Sequence, residues 1–207
     1  DPDNDLAFAA ENAGNIIFAQ SFKPKTKAQA ADSVKKRTEV MDQRLSLMKE
    51  KNYFRKVPEN EIEKYSTIFS AYNIEAPVDV LIEKSAGVYF FQSEPDPDGL
   101  QRRFPLLVLY GDRLFPAASL AMALRHYKVS FDSVEIEPGK YLRFDINPEL
   151  DDFGRSEIHI PINEKGQMVV NWAGPWKDKE TGKFDMMHYP YRMLKEFQEI
   201  EYLNYVM

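Results

Sequence analysis

The sequence predicts an α/β domain, with an α+β arrangement as the alternative: a mixed, largely covered sheet with flanking helices, finished by a C-terminal hairpin and helix. Three observations carry that expectation. The runs Ile16-Ile17-Phe18-Ala19 and Leu106-Leu107-Val108-Leu109 have no polar face, which suits strands covered on both sides. Other segments repeat their apolar residues at helical spacing, as helices laid on a sheet would. Ile158, Ile160 and Ile162, and then Met168, Val170 and Trp172, recur at every second position, as in strands with one covered face.

Taken in chain order, Leu6, Ala9, Ala10 and Ala13 fall at helical spacing, so residues 4–13 are expected to form a short amphipathic helix. Asn4 or Asp5 would cap it and Gly14 would stop it. A buried strand over residues 15–22 follows. Helix then strand reads as the tail of a βαβ unit whose first strand is missing. Residues 23–64 are rich in lysine and arginine, contain no glycine, and space Val34, Met41, Leu45 and Met48 as one stripe. They are expected to form a long exposed helix, either simply solvated or facing a membrane or partner. Val57-Pro58 would close it, because a proline disfavours a helical residue before it.

Pro77 can open a helix with Val78, Leu81 and Ile82 on one side, ended by Gly87, and residues 88–91 read as a strand. The Asp98-Gly99 pair supplies turn chemistry before a strand over residues 104–110. Both strands are expected to be buried and central. A second turn at Gly111-Asp112 leads to a helix begun at Pro116, with Leu120, Leu124 and Tyr127 inward. Residues 134–137 and 141–146 read as strands across a Pro138-Gly139 turn. The turn Asn163-Glu164-Lys165-Gly166 between the two alternating runs makes the clearest hairpin. Asp185 can cap a last helix with Met193, Phe197 and Ile200 inward. Nothing repetitive or of low complexity interrupts the chain, so residues 1–207 are expected to be a single domain.

Composition limits the functions available. With 207 residues and 43% hydrophobic content the chain can bury one sizeable core. A formal net charge of -6 argues against a general nucleic-acid binder, which normally carries a basic excess. The absence of cysteine removes disulfides, thiolate metal sites and cysteine nucleophiles. No apolar run approaches the roughly 20 residues that span a bilayer. A start at Asp1, without a signal-peptide pattern, suggests a processed or excised piece of something longer.

Few residues offer chemistry. Glu94, Asp96 and Asp98 could be imagined on a hard cation, but the prolines between them hold the backbone extended and the spacing is not that of a calcium loop. Turn-forming aspartates are the simpler reading. His126, His159 and His188 are far apart and show no ligand spacing. No nucleophile elbow, phosphate loop or dinucleotide fingerprint is present. Arg102 and Arg103 sit where a strand enters the core, where guanidinium groups can hold a carboxylate or phosphate. An ion pair with Asp96 or Asp98 that fixes the turn is the simpler reading and is preferred. Asn171 and Trp172, near Gly174-Pro175 and Trp176, could line a pocket, although a tryptophan at a strand end usually packs in the core. Arg102, Arg103, Asn171 and Trp172 are the candidate ligand contacts. No catalytic residue, metal site or cofactor is expected.

The stretch EPDPDGLQRRFPLLVLYGDRLFPAASLAMALRHY resembles the type-two CHASE domain, the cyclase and histidine-kinase associated sensory extracellular module. That family shows an aspartate-rich D-x-D-G, an arginine leading into a P-L-L strand, and a P-S-L-A helix. IHIPINEKGQMVVNWAGPW is similar to its I-P-L-D, G, I-N-Y-x-G-P ending, and DPDNDLAFAAENAGNIIFAQSF to its acidic D-x-x-L-A-x-A helix and following strand. Residues 189–195 only loosely match the S-F-x-D-V-L-like helix that follows that ending, and residues 23–64 lie outside the matching blocks. The strand, helix and strand that precede the acidic helix in the family have no counterpart before Asp1.

The resemblance implies the extracytoplasmic, periplasmic-side sensor of a bacterial transmembrane receptor with a cyclase or kinase output. It implies an unidentified small-molecule or ion stimulus, membrane tethering through segments absent here, and no nucleic-acid partner. Homodimerisation stays open. Two alternatives remain: a free-standing enzyme using the residue 94–98 carboxylates with an arginine clamp, and a structural oligomerisation module using the basic segment.

Overall fold

A computed structural model of the chain describes residues 1–24, 39–51, 53–93 and 95–170. The chain divides into two compact units, Asp1–Val170 and Asn171–Met207, and all the described residues lie in the first. Its elements run α1 (Pro2–Ala13), β1 (Ile17–Pro24), α2 (Glu39–Glu50), β2 (Arg55–Lys56), β3 (Ser70–Glu75), α3 (Asp79–Lys84), β4 (Gly87–Phe90) and β5 (Arg103–Pro105). There follow β6 (Leu107–Tyr110), β7 (Arg113–Pro116), α4 (Ala118–His126), β8 (Glu135–Glu137), β9 (Tyr141–Asp145), β10 (Glu157–Pro161) and β11 (Gln167–Val169). Short 3-10 turns at Glu59–Tyr65, Phe131–Ser133 and Pro148–Leu150 join them. The α/β reading is correct.

The main sheet has six strands in the order β2-β7-β6-β3-β1-β4, with β1 and β4, and β3 and β6, parallel and the other neighbours antiparallel. A bridge between Phe90 and Ala117 returns the free edge of β4 to the end of β7, so the sheet curls on itself. Alternation along β6 and β7 then sorts two cores. The register pair Val108 and Phe115 joins Phe22, Phe90, Ile74 and Ile82 in an aromatic-rich cluster. The next pair, Leu109 and Leu114, joins Leu120 and Leu124 of α4 with Ile136, Leu142 and Phe144 of the three-stranded sheet β10-β9-β8. The run without a polar face is therefore covered on both sides, as its sequence demands. Each fully buried side chain of this size contributes about 1.5–3 kcal/mol.

Several elements differ from their sequence expectation. Helix α1 starts at Pro2 with Asp1 as its cap, and it buries Ala7 and Ala10 while Leu6 is exposed. Only one face of β1 is covered: Gln20 and Phe22 are buried and Ala19 is exposed. The basic segment is not one long helix. Its described part ends α2 at Glu50, where the Tyr53 amide caps the Met48 carbonyl at 2.9 Å and drops Tyr53 and Phe54 into the core. Leu45 and Met48 are buried, so α2 is a packed helix; Val34 lies outside the described residues.

The expected strand over residues 104–110 is two strands in different sheets, since Leu106 donates to Gly166 and accepts from Ala117 and so belongs to neither ladder. Strand β4 is an edge strand of the main sheet, although Val88 and Phe90 are fully buried. Strand β7 was not expected; it occupies the stretch read as a lead-in to α4. The expected hairpin at Asn163 to Gly166 keeps its turn but not its pairing, because β10 pairs with β9 while β11 pairs with β5. The last helix, from Asp185, lies outside the described residues.

One inward residue breaks the apolar pattern. Gln20 is 3% exposed, and neither its amide nitrogen nor its oxygen finds a hydrogen-bond partner among the described residues. Leaving such a group unpaired costs about 1–3 kcal/mol. Gln20→Met, which keeps the shape and removes the amide, is expected to raise the urea midpoint; a lower midpoint would overturn that account.

Candidate functional site

One end of the curled sheet gathers the C-terminal ends of β1 and β4 with the starts of β3 and β6. A cavity of about 380 Å³ opens there. Its floor is apolar: Phe22, Phe90 and Val108 are at most 2% exposed, and Phe69 and Pro105 complete it. Thr67, Gln92, Ser93, Lys165 and Gln167 form the polar rim.

The rim is held by specific bonds. The Gln92 amide accepts from the Phe22 N–H and donates to the Phe22 carbonyl at 3.1 Å, continuing the β1–β4 pairing with a side chain. The Asn163 carboxamide oxygen accepts from the Lys165 and Gln167 amides, both at 3.0 Å, and Gly166 takes the left-handed φ of 71° that this turn requires. A Cβ on Gly166 would also stand 3.4 Å from the Leu107 Cβ. Thr67 Oγ1 donates to the Glu164 carbonyl at 2.7 Å, so the turn is tied down on both sides. The Ser93 hydroxyl, the Lys165 ammonium and the Gln167 Nε2 have no partner among the described residues. No carboxylate lines the cavity among them.

A larger, shallower groove adjoins the mouth and shares Lys165 and Gln167 with it; Asp96, Arg103 and Glu164 line it as well. Here the sequence-selected arginines are found. Arg103 Nη1 meets Asp96 Oδ1 at 2.6 Å, and Arg102 Nη1 meets Asp98 Oδ2 at 2.7 Å. The second Asp96 oxygen is buried without a hydrogen bond to any described residue, 3.6 Å from Arg102 Nη1. The Arg102 guanidinium, with the Leu100 N–H, holds the Asp98 carboxyl below its ordinary range. It therefore carries no proton to give at neutral pH. Strand β5, which begins at Arg103, pairs with β11, and the Val170 amide donates to the Arg102 carbonyl at 2.8 Å.

Glu94, Asn171 and Trp172 lie outside the described residues, as does His188. His126 stacks edge-on against Tyr127 and His159 lies against Tyr141, at 4.8 and 4.7 Å between ring centres. Among the described residues no group of three or more histidine and carboxylate side chains could hold a metal ion. No helix among them is long and apolar enough to cross a membrane.

Sequence reasoning missed the mouth entirely, because its residues come from five separated segments with no common motif. It also missed Asp151, whose buried carboxylate takes bonds from Tyr127, Phe153 and Arg155. Only the Asp-x-x-x-Arg spacing hinted at that pair.

Compared with known proteins, the chain matches the family model described as CHASE2 domain over residues 3–201. No curated protein and no solved structure matches it at a significant level.

Proposed function

The chain belongs to the CHASE2 domain family, whose members are extracellular sensory domains rather than catalysts, and from that premise we propose that it is the periplasmic sensor of a bacterial membrane receptor. Its output would be a cyclase or kinase on the cytoplasmic side, and membrane segments outside this chain would tether it, as a monomer or a homodimer. The observation that carries this reading is the family match over residues 3–201, nearly the whole chain. The site chemistry supports it: the mouth offers unpaired donors over an apolar floor, and the nearby aspartates are committed to arginines.

Signalling requires a ligand that stabilises one of two states more than the other. The loop between β4 and β5 suits that task, since it carries Ser93 at the mouth and Asp96 and Asp98 on Arg103 and Arg102. An anionic ligand reaching the groove would compete with those aspartates for the guanidinium groups. Arg102 and Arg103 therefore stay in the proposal as ligand-responsive residues, while Asn171 and Trp172 lie outside the described residues.

Topology tests the reading. Alkaline phosphatase inserted into the full-length parent protein directly after Met207 is expected to be active, and β-galactosidase at the same point inactive. The reverse pattern would place the domain in the cytoplasm and sink the proposal.

A further inference from the structure

We infer that the mouth of the curled sheet binds a small organic anion with a flat apolar body, of the arylcarboxylate class; this deepens the sensory reading and rests on it for its biological purpose. The volume, about 380 Å³, lies at the low end of the roughly 300–1,000 Å³ typical of ligand pockets. The floor is an apolar patch of Phe22, Phe69, Phe90, Pro105 and Val108, which favours a flat hydrophobic group over a sugar or a hydrated ion.

The rim selects the sign of the ligand. Thr67 spends its hydroxyl proton, and Gln92 its amide oxygen and one of its two amide hydrogens, on backbone partners, so the side-chain donors left for a ligand among the described residues are Ser93 Oγ, Gln167 Nε2, Lys165 Nζ and the second Gln92 N–H. A neutral hydrocarbon would displace water from these donors without replacing its hydrogen bonds. An ammonium ligand would meet Lys165 with no carboxylate lining the cavity among the described residues. A polyanion would find one lysine in the mouth, and the next cation, Arg103 in the groove, is already paired with Asp96. A single carboxylate satisfies the lysine and a neighbouring donor while its ring covers the aromatic floor.

The test titrates the chain with benzoate, phenylacetate and indole-3-acetate, each beside its neutral amide, by saturation-transfer and chemical-shift NMR. At least one acid is expected to bind, with its ring protons saturated and its amide about tenfold or more weaker, the usual cost of losing a charged hydrogen bond. Lys165→Gln is expected to erase the acid–amide difference without unfolding the chain, since the ammonium has no partner to lose among the described residues. Ser93→Trp, at a half-exposed loop position, is expected to block the mouth and abolish binding. Absence of binding by all three acids, equal binding of acid and amide, or binding that survives Ser93→Trp would each overturn the inference. These outcomes are read on the isolated chain, so they are independent of the reporter-fusion result that tests the sensory reading.

Discussion

Replacing Phe22 by alanine is expected to lower the unfolding free energy by about 3–5 kcal/mol. Its ring sits inside the curl of the main sheet, edge-on to Phe90 at 5.8 Å and to Phe115 at 5.1 Å, with Tyr110 at 6.5 Å. Strand β1 is held on both sides, by β3 through an antiparallel ladder and by β4 through a parallel one. The backbone therefore cannot move in to refill the cavity, and the cost should fall at the upper end of the range. Phe22→Leu keeps most of the volume and is expected to cost less than about 1.5 kcal/mol. Urea denaturation of the two variants measures the difference. A loss below about 1 kcal/mol for the alanine variant would mean that the three rings do not pack, and the closure implied by the Phe90–Ala117 bridge would be wrong.

The same residue shows why part of the fold could be read from the chain and part could not. Phe22 announces a strand, and Leu106 to Leu109 announce one covered on both faces, because local composition records burial. The curl does not announce itself. It depends on which strand lies beside which, and that is settled by packing between residues far apart in sequence. The turn at Asn163 to Gly166 makes the point sharply: its asparagine and glycine specify a tight reversal, and the reversal is present. Whether the strands leaving it pair with each other is not encoded in the turn, and here Leu106 intervenes by donating to the Gly166 carbonyl. The basic segment failed for a different reason. Its helical stripe is real from Met41 to Met48, but the period cannot say that Tyr53 and Phe54 will leave the helix to fill the aromatic core.

The site divides along the same line. Arg102 and Arg103 were visible because a basic pair beside an acidic turn is a local pattern, and the structure places both on the aspartates of that turn. Lys165 was passed over as a turn residue. Its interest comes from the aromatic floor beside it, contributed by Phe22, Phe69 and Phe90, which lie 75 to 143 positions earlier in the chain, so no short window of sequence contains both.

Asp151→Asn is expected to be the most damaging polar substitution, and its cost should shrink in acid. The carboxylate is 1% exposed, yet it accepts five hydrogen bonds: to Oδ2 from the Phe153 and Arg155 amides and Arg155 Nε, and to Oδ1 from Arg155 Nη2 and the Tyr127 hydroxyl. It thereby fastens the loop after β9 to the end of α4. An asparagine amide in place of Oδ2 would point its hydrogens at three donors, and the flipped amide would meet two. The Arg155 side chain and backbone amide hold the Asp151 carboxyl far below the ordinary carboxylate range. A carboxyl depressed in the folded state stabilises the fold fully above its unfolded pKa, near 3.9, and loses that contribution as the pH falls toward the folded value. Burial pushes the Tyr127 phenol up, and Asp151 reinforces the shift, so this hydroxyl stays a donor throughout the neutral range. Urea melts of the native chain and Asp151→Asn are therefore expected to differ most between pH 5 and 8 and to converge as the pH is lowered from about 4 toward 2. A gap between the native chain and Asp151→Asn that stays constant with pH would show that the carboxylate is not the group that pins the loop.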